Sequence, residues 1–195
     1  MAGEAEAVAP VRRLKRAERR EQILDAATSA FSRSGYTATG LEDIAAAAGI
    51  SRAILYRHFD SKAELYQQVL DRVCQRLYAE TGEGEYTQAS IDGLVRAAAQ
   101  DPDGFRLLFD RAAREPEFAA EMLRFRDNMT KAAHRYLVEV VKDPAWAVWA
   151  AQMAATTAIG AVLAWLDAGQ PDPGLVAARI RRTVEGVIEA ARTEN

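Results

Sequence analysis

Along most of the chain, apolar residues return at steps of three and four, the spacing that lines one face of an α-helix. Ile23, Ala27 and Phe31, with Leu24 beside them, mark a first helix from about Arg16 to Ser34, stopped by Gly35. After a short connection over Tyr36 to Gly40, Leu41, Ile44, Ala45 and Ala48 carry a second, shorter face. Gly49 follows directly, where a left-handed backbone ends a helix at least steric cost. Ile50 plugs the turn, and Ser51 is placed to cap a third helix beginning at Arg52. In that helix Leu55 and Phe59 face inward, which leaves Arg52, Ala53, Ile54, Tyr56, Arg57 and His58 on the sides and outer face. It has a small core face and a large presenting one.

Asp60-Ser61-Lys62 opens a fourth helix, with Ser61 as N-cap and Glu64 three residues on, the pattern of a capping box. Leu65, Val69, Val73 and Leu77 extend it to about Glu80, and Thr81-Gly82-Glu83-Gly84-Glu85 then breaks the pattern. Beyond this, an acidic residue stands directly before proline at Asp101-Pro102, Glu115-Pro116, Asp143-Pro144 and Asp172-Pro173. Proline at the first helical position gives up no hydrogen bond, and an acid before it caps N–H groups at the positive end of the helix dipole. These dipeptides predict helices near 87–100, 103–114, 117–142, 145–168 and 174–192. No segment alternates with period two over a useful length, so the expected fold is all-α, without strands or internal repeats. In the penultimate helix, Ala151, Ala154, Ala155, Ala158 and Ala161 are small enough for close helix approach. Val176, Ile180, Val184, Val187 and Ala191 line the last helix, and the two predict a four-helix bundle between two chains.

Composition narrows the picture. The chain has 195 residues, 49% hydrophobic and 27% charged, enough for one domain or two small ones with a core. Cys74 is the only cysteine, which excludes an intrachain disulfide and a multi-cysteine metal site and suits a reducing compartment. The first twenty residues lack the apolar run of a signal peptide, and their acidic residues argue against a transit peptide; the expected location is cytoplasmic, with a disordered tail over residues 1–15. Ala145 to Ala168 is long enough to span a bilayer, but Gln152, Thr156, Thr157 and Asp167 interrupt it and much of it is alanine, so no membrane association is expected.

The formal charge of −3 does not describe a generally basic nucleic-acid binder. Its distribution is more telling, because phosphates respond to charge within about 10 Å. Arg12, Arg13, Lys15, Arg16, Arg19 and Arg20 crowd just before the two short helices, either as a basic arm or as a solvated lead-in. No nucleophile–base pair, Gly-rich phosphate loop or metal-ligand constellation is legible, so neither an enzyme nor a metal or cofactor site is expected. His134 has no neighbouring ligands, and Cys74 has no basic activator pair and reads as an inert thiol.

The stretch ILDAATSAFSRSGYTATGLEDIAAAAGISRAILYRHFDSKAELY resembles the tetracycline-repressor (TetR) family of bacterial transcription regulators. The most specific parts are AF followed by SGY, then DIA-x-x-AG-I-S, LY-x-HF and SK-x-x-LY. The resemblance covers about Arg20 to Tyr66; the rest resembles the family in being helical and of typical length. It implies a helix-turn-helix DNA-binding domain over 16–62 and a helical effector-binding and dimerisation domain over 63–195. It further implies a homodimer that represses from palindromic double-stranded DNA, its recognition helices about 34 Å apart, until a small-molecule effector releases it. Carried onto this chain, Ser51, Tyr56, His58 and Lys62 match phosphate-holding positions, and Arg52, Ala53, Ile54 and Arg57 match base-facing ones. The chemistry agrees, since Tyr, His and Ser donate single bonds to phosphate while Arg can grip guanine with two. Gly40 stands where the family usually has Thr or Ser, with Thr39 or Thr37 to take over the contact, and Ile54 replaces a common Thr or Ala. For the effector cavity, an apolar pocket with a few polar groups, the candidates are Phe105, Arg106, Phe109, Phe125, Asn128, His134, Trp149 and Gln152. The rival readings are a ligand-binding or interaction protein with weakened DNA affinity, and a small helical enzyme.

Overall fold

Gly35 breaks the first apolar helix as its position predicts: α1 (Arg16–Ala38) leaves helical geometry there, with φ 75° and ψ 174°, and resumes for a last turn. Helices α2 (Leu41–Ala47) and α3 (Arg52–Tyr56) follow, joined through Gly49 at φ 62°. Then come α4 (Lys62–Thr81), α5 (Gln88–Gln100), α6 (Pro102–Arg106), α7 (Ala119–Leu137), α8 (Pro144–Asp167) and α9 (Val176–Arg192). This computed structural model describes residues 15–82 and 88–192, and all regular elements among them are helical. The expected tail up to residue 14, with Arg12 and Arg13 of the basic arm, and most of the break after α4 lie outside the described residues.

Ser51 accepts from Ile54 N at 3.4 Å, and Ser61 accepts from Glu64 N at 3.0 Å. The capping box on α4 is shifted by one residue, because the Glu64 carboxylate takes the N–H of Asp60 at 2.6 Å. Of the four acid–proline pairs, two cap as predicted. Asp101 accepts from Gly104 N at 2.8 Å, and Asp143 accepts from Ala145 N at 2.8 Å and Trp146 N at 3.2 Å. The other two do not. Helix α7 begins only at Ala119, without a side-chain cap, while Asp172 adopts φ 46° ahead of α9 and holds Arg179 at 3.4 Å. The single helix expected over 103–114 is also corrected: α6 passes into one π-turn, Leu107–Arg111, and one 3₁₀ turn, Ala112–Arg114.

Helices α1, α2 and α3 and the first half of α4 share a core of Ile23, Phe31, Ile44, Leu55, Phe59 and Leu65, each within 1% of full burial. Helix α4 continues into the body, where α5 and α7 pack on it, and α8 and α9 pack on each other, α8 also on α5 and α7 and α9 also on α5. The alanine row of α8 is not available to a second chain: Ala151, Ala154, Ala155 and Ala158 are buried within this one. So are Val176, Ile180, Val184 and Ala191 of α9. An all-round apolar helix gives no periodic clue to which side faces inward, and here its neighbours α7 and α9 pack along it. The same packing answers the membrane question for the inner face of α8. That helix is long and apolar enough to span, but 44% of its most apolar window is buried in the protein.

Helices α4 and α5 approach most closely at Gly93, where a Cβ would lie 2.1 Å from the Glu80 carbonyl oxygen. Backbone cannot swing aside as a flexible side chain can, so Gly93→Ala is expected to destabilise the protein by about 1–3 kcal/mol in urea denaturation. Gly160→Ala, with no atom within 4 Å of its Cβ, should cost nothing in the same assay.

Candidate DNA-binding surface and body cleft

Leu55 and Phe59 anchor α3 and the turn after it in the head, and most of the side chains around them face outward. Ser51, Arg52, Ala53, Tyr56 and Arg57 are exposed, whereas Ile54, His58 and Lys62 are half-buried. Arg52 is held in place on the surface: it pairs with Glu42 of α2, donates to the Tyr56 hydroxyl at 3.2 Å and lies 5.3 Å from the centre of that ring. Both Arg52 and Glu42 are more than half exposed, so water screens the pair and a DNA base or phosphate can compete for the guanidinium. Lys62 donates to the Thr37 carbonyl at 3.2 Å and sits 4.6 Å over the Tyr36 ring, which directs the ammonium to the rim of the same surface.

Burial and the nearby cations Arg16, Arg57, Arg20 and Arg19 push the His58 imidazole below its ordinary pKa. The four arginines and Lys62 make one face of the head locally cationic in a chain whose formal charge is −3. The lead-in residues that the structure describes therefore belong to the presenting surface. Arg20 also lies 5.2 Å over the Phe59 ring, tying α1 to the end of the recognition segment.

One expected contact needs correction. Thr39 is buried and donates its hydroxyl to the Gly35 carbonyl at 2.7 Å, closing the turn after the α1 break, so it does not replace the missing hydroxyl at the α2 cap. Gly40 occupies that cap position and donates its N–H to Asp43 at 3.3 Å. Thr37 is the exposed alternative.

In the body, an apolar cleft opens between α4, α5, α7 and α8, floored by Ala154, Ala155 and Ala158. All its lining residues are uncharged, and at one side the Asn128 amide donates to the Tyr78 hydroxyl at 3.0 Å. Of the proposed effector residues, Phe125 and Asn128 line this cleft. Phe105 and Phe109 lie behind Phe125 in a row of tilted, edge-on rings, with centres 4.7 Å apart from Phe105 to Phe109 and 5.6 Å from Phe109 to Phe125. The other four are not brought to it. Arg106 pairs with Asp167 at 3.2 Å, Trp149 packs against Trp146 at the exposed start of α8, Gln152 lies on the outer face of α8, and His134 is outside the lining. Sequence reasoning missed Tyr78, Ser90 and the alanine floor, because alanines and the end of a helix carry no pocket signature. Burial, with Glu121 and Asp71 nearby, pushes the Cys74 thiol up to about 12, which keeps it inert. Among the described residues, no group of three or more His, Cys, Asp or Glu is placed to hold a metal ion.

A short helix capped by serine, anchored by two side chains and set against a cationic rim defines a helix-turn-helix head on a helical body. Residues 23–69 match the family described as bacterial regulatory proteins, tetR family. It is 39% identical over 119 residues to the HTH-type transcriptional activator FasR of Mycolicibacterium smegmatis, covering 56% of this chain and 54% of that protein. Over 54 residues, 28% of this chain and 26% of the other, it is 50% identical to the HTH-type transcriptional regulator TtgR of Pseudomonas putida. With the biofilm-operon negative regulator IcaR of Staphylococcus aureus it shares 47% identity over 49 residues, 25% of this chain and 26% of that one. The chain thus spans from a quarter to about half the length of these relatives. A solved TetR-like regulator from a Rhodococcus species has the same fold across 91% of this chain and 97% of its own, with a TM-score of 0.76 at 23% identity. A tetR-family regulator from Streptomyces coelicolor does so across 91% and 83%, with a TM-score of 0.69 at 22% identity.

Two measurements address the cationic rim. Lys62→Ala is expected to lower the slope of log affinity against log salt by about one unit on any duplex the protein binds. A folded-state pKa below the ordinary value of 6.5 means that the unfolded His58 takes up the extra proton. Its contribution is therefore fully present above that pH and is lost as pH falls through the folded value. Replacing His58 with Gln should flatten the acid limb of stability, read as urea midpoints between about pH 7.5 and 5.

Proposed function

We propose that this chain is a tetR-family transcriptional regulator that binds a palindromic operator as a homodimer and is released by a small apolar effector. The observation that carries the reading is α3: its inward residues are consumed by the head, while Arg52, Tyr56 and Arg57 stand outward beside Arg16, His58 and Lys62. Arginines at the centre can read guanine edges, and the surrounding hydroxyl, imidazole and ammonium groups suit phosphates. Working on chromosomal DNA places the protein in the cytoplasm.

The outer faces of α8 and α9 support the homodimer. With the alanine rows used inside the protomer, the exposed side of α8 carries Gln152, Thr156 and Gly160, and that of α9 carries Arg182 and Gly186. The space around Gly160 and Gly186 is open, which leaves room for helices of a second copy. The uncharged cleft supports an apolar effector. Its free space is about 50 Å³, whereas an apolar cavity of about 150 Å³ admits benzene. A ligand of more than a few atoms must therefore displace the walls, and one of them is α4, the helix that carries the head. Catalysis has no support in the site, and the named relatives are regulators.

Repression is the first reading, in keeping with the role of IcaR as a negative transcriptional regulator. Activation is the second, because the similarity to FasR, a named activator, extends over 119 residues and so beyond the head. In the test, purified protein is offered a randomised pool of palindromic duplexes. Recovery of a consensus bound with a salt-dependent affinity supports the reading, and failure to retain any duplex at low salt sinks it. Gly160→Arg is expected to convert the dimer to monomer by light scattering, with unchanged helical content, and to lower operator affinity at least about tenfold.

A further inference from the structure

Helix α1 does not complete its own end. In an unbroken helix the carbonyls of Ser32 and Arg33 would take the N–H groups of Tyr36 and Thr37. The left-handed turn at Gly35 swings Tyr36 away, and the body supplies the missing partners. Glu115 accepts from Tyr36 N at 2.7 Å, while Arg111 donates from Nε to the Ser32 carbonyl at 3.1 Å and from Nη2 to the Arg33 carbonyl at 3.3 Å. An anion meets the freed donor and a cation meets the negative end of the helix, the complementary arrangement for a helix terminus.

The two residues reach α1 together because of the irregular segment that sequence periodicity does not reveal. A π-turn ending at Arg111 and a 3₁₀ turn ending at Arg114 lie between α6 and Glu115, and such turns re-aim side chains relative to a plain helix. Glu115 has a second attachment, since its other oxygen accepts the hydroxyl proton of Tyr66 on α4. Tyr66 is fully buried, and Phe118 packs against it at 4.5 Å and against Tyr36 at 4.7 Å. Space is tight: a Cβ on residue 35 would lie 3.3 Å from the Glu115 carboxylate.

We propose that Arg111 and Glu115 are positioning residues for DNA binding, forming a clamp from the body that caps the broken end of α1 and fixes the angle at which the head presents α3. Helix α4 is the covalent link between head and body, and one helix alone leaves the head free to rock. The clamp grips the head at a second point. In a dimer that must set two recognition helices about 34 Å apart, that angle decides whether the second head finds its half-site. The segment bearing the clamp follows directly on Phe105 and Phe109, the row that ends at Phe125 in the cleft, so it stands between ligand site and head.

The inference rests on the proposed dimeric operator binding, and the experiment separates the two. Full-length wild type and the Arg111→Ala/Glu115→Ala double variant are titrated with the duplex selected by the wild type, and with versions carrying one or two base pairs inserted at its dyad. Wild type is expected to discriminate against the insertions at least about tenfold. The double variant should bind the selected duplex about tenfold more weakly, tolerate the insertions to within about threefold, and keep its salt slope, because no phosphate contact is removed. Equal weakening at all spacings would show a merely structural role and overturn the clamp. Tyr66→Phe, which keeps the ring and removes one attachment, is expected to fall between the two and serves if the double variant does not fold. Hydrogen exchange supplies a readout without DNA. The Tyr36 amide should exchange faster in Glu115→Ala than in wild type, and unchanged protection overturns the proposal even if no duplex is bound.

Discussion

The Arg72 guanidinium lies between α4 and α1, donating to Asp25 at 2.7 Å, to Glu21 at 3.2 Å and to the Thr28 hydroxyl at 2.8 Å. The residue is 9% exposed and its Nε atom has no partner, so a charge has been taken largely out of water without complete compensation. Glu21 and Asp25 are more than half exposed, and screening limits what their attraction returns. The value of such a group lies in direction: its three contacts are satisfied together in one register of α1 on α4. Head and body meet through that register, and the presentation of α3 and the reach of α4 into the cleft both depend on it.

Electrostatics and burial divide the molecule. The head gathers cations around α3, whereas the cleft is lined without charge and closed at one side by a neutral pair, Tyr78 and Asn128. A chain of negative formal charge can thus present a local field suited to phosphates. The uncharged cleft would penalise an ionised group carried into it without a partner. The two halves recognise opposite chemistries, and α4 contributes to both.

Much of the head was legible in the sequence because its signals are local. Gly35 and Gly49 sit where left-handed turns are needed, Ser51 and Ser61 cap, and Leu55 and Phe59 define the inward side of α3. The body was harder for identifiable reasons. Helix α8 is apolar on nearly every side, so periodicity could not tell the alanines buried under its neighbours from the face left to a second chain. Asp101 and Asp143 cap, but Glu115 has the same sequence context and turns instead to Tyr36 and Tyr66, partners 79 and 49 positions away. Thr39 likewise looked like a free hydroxyl until the break at Gly35 brought a carbonyl within its reach. Long-range partners of this kind leave no mark in spacing.

All three tryptophans of the chain lie on α8, and the distribution has an optical consequence. Trp146 and Trp149 meet edge to face at its exposed start, while Trp165, near its other end, is buried and donates its indole N–H to the Pro171 carbonyl at 2.9 Å. The head contains none. Intrinsic fluorescence is therefore blind to the head and sees the body in two colours: a red-shifted pair open to quenchers at one end of α8, and a blue, shielded emitter towards the other.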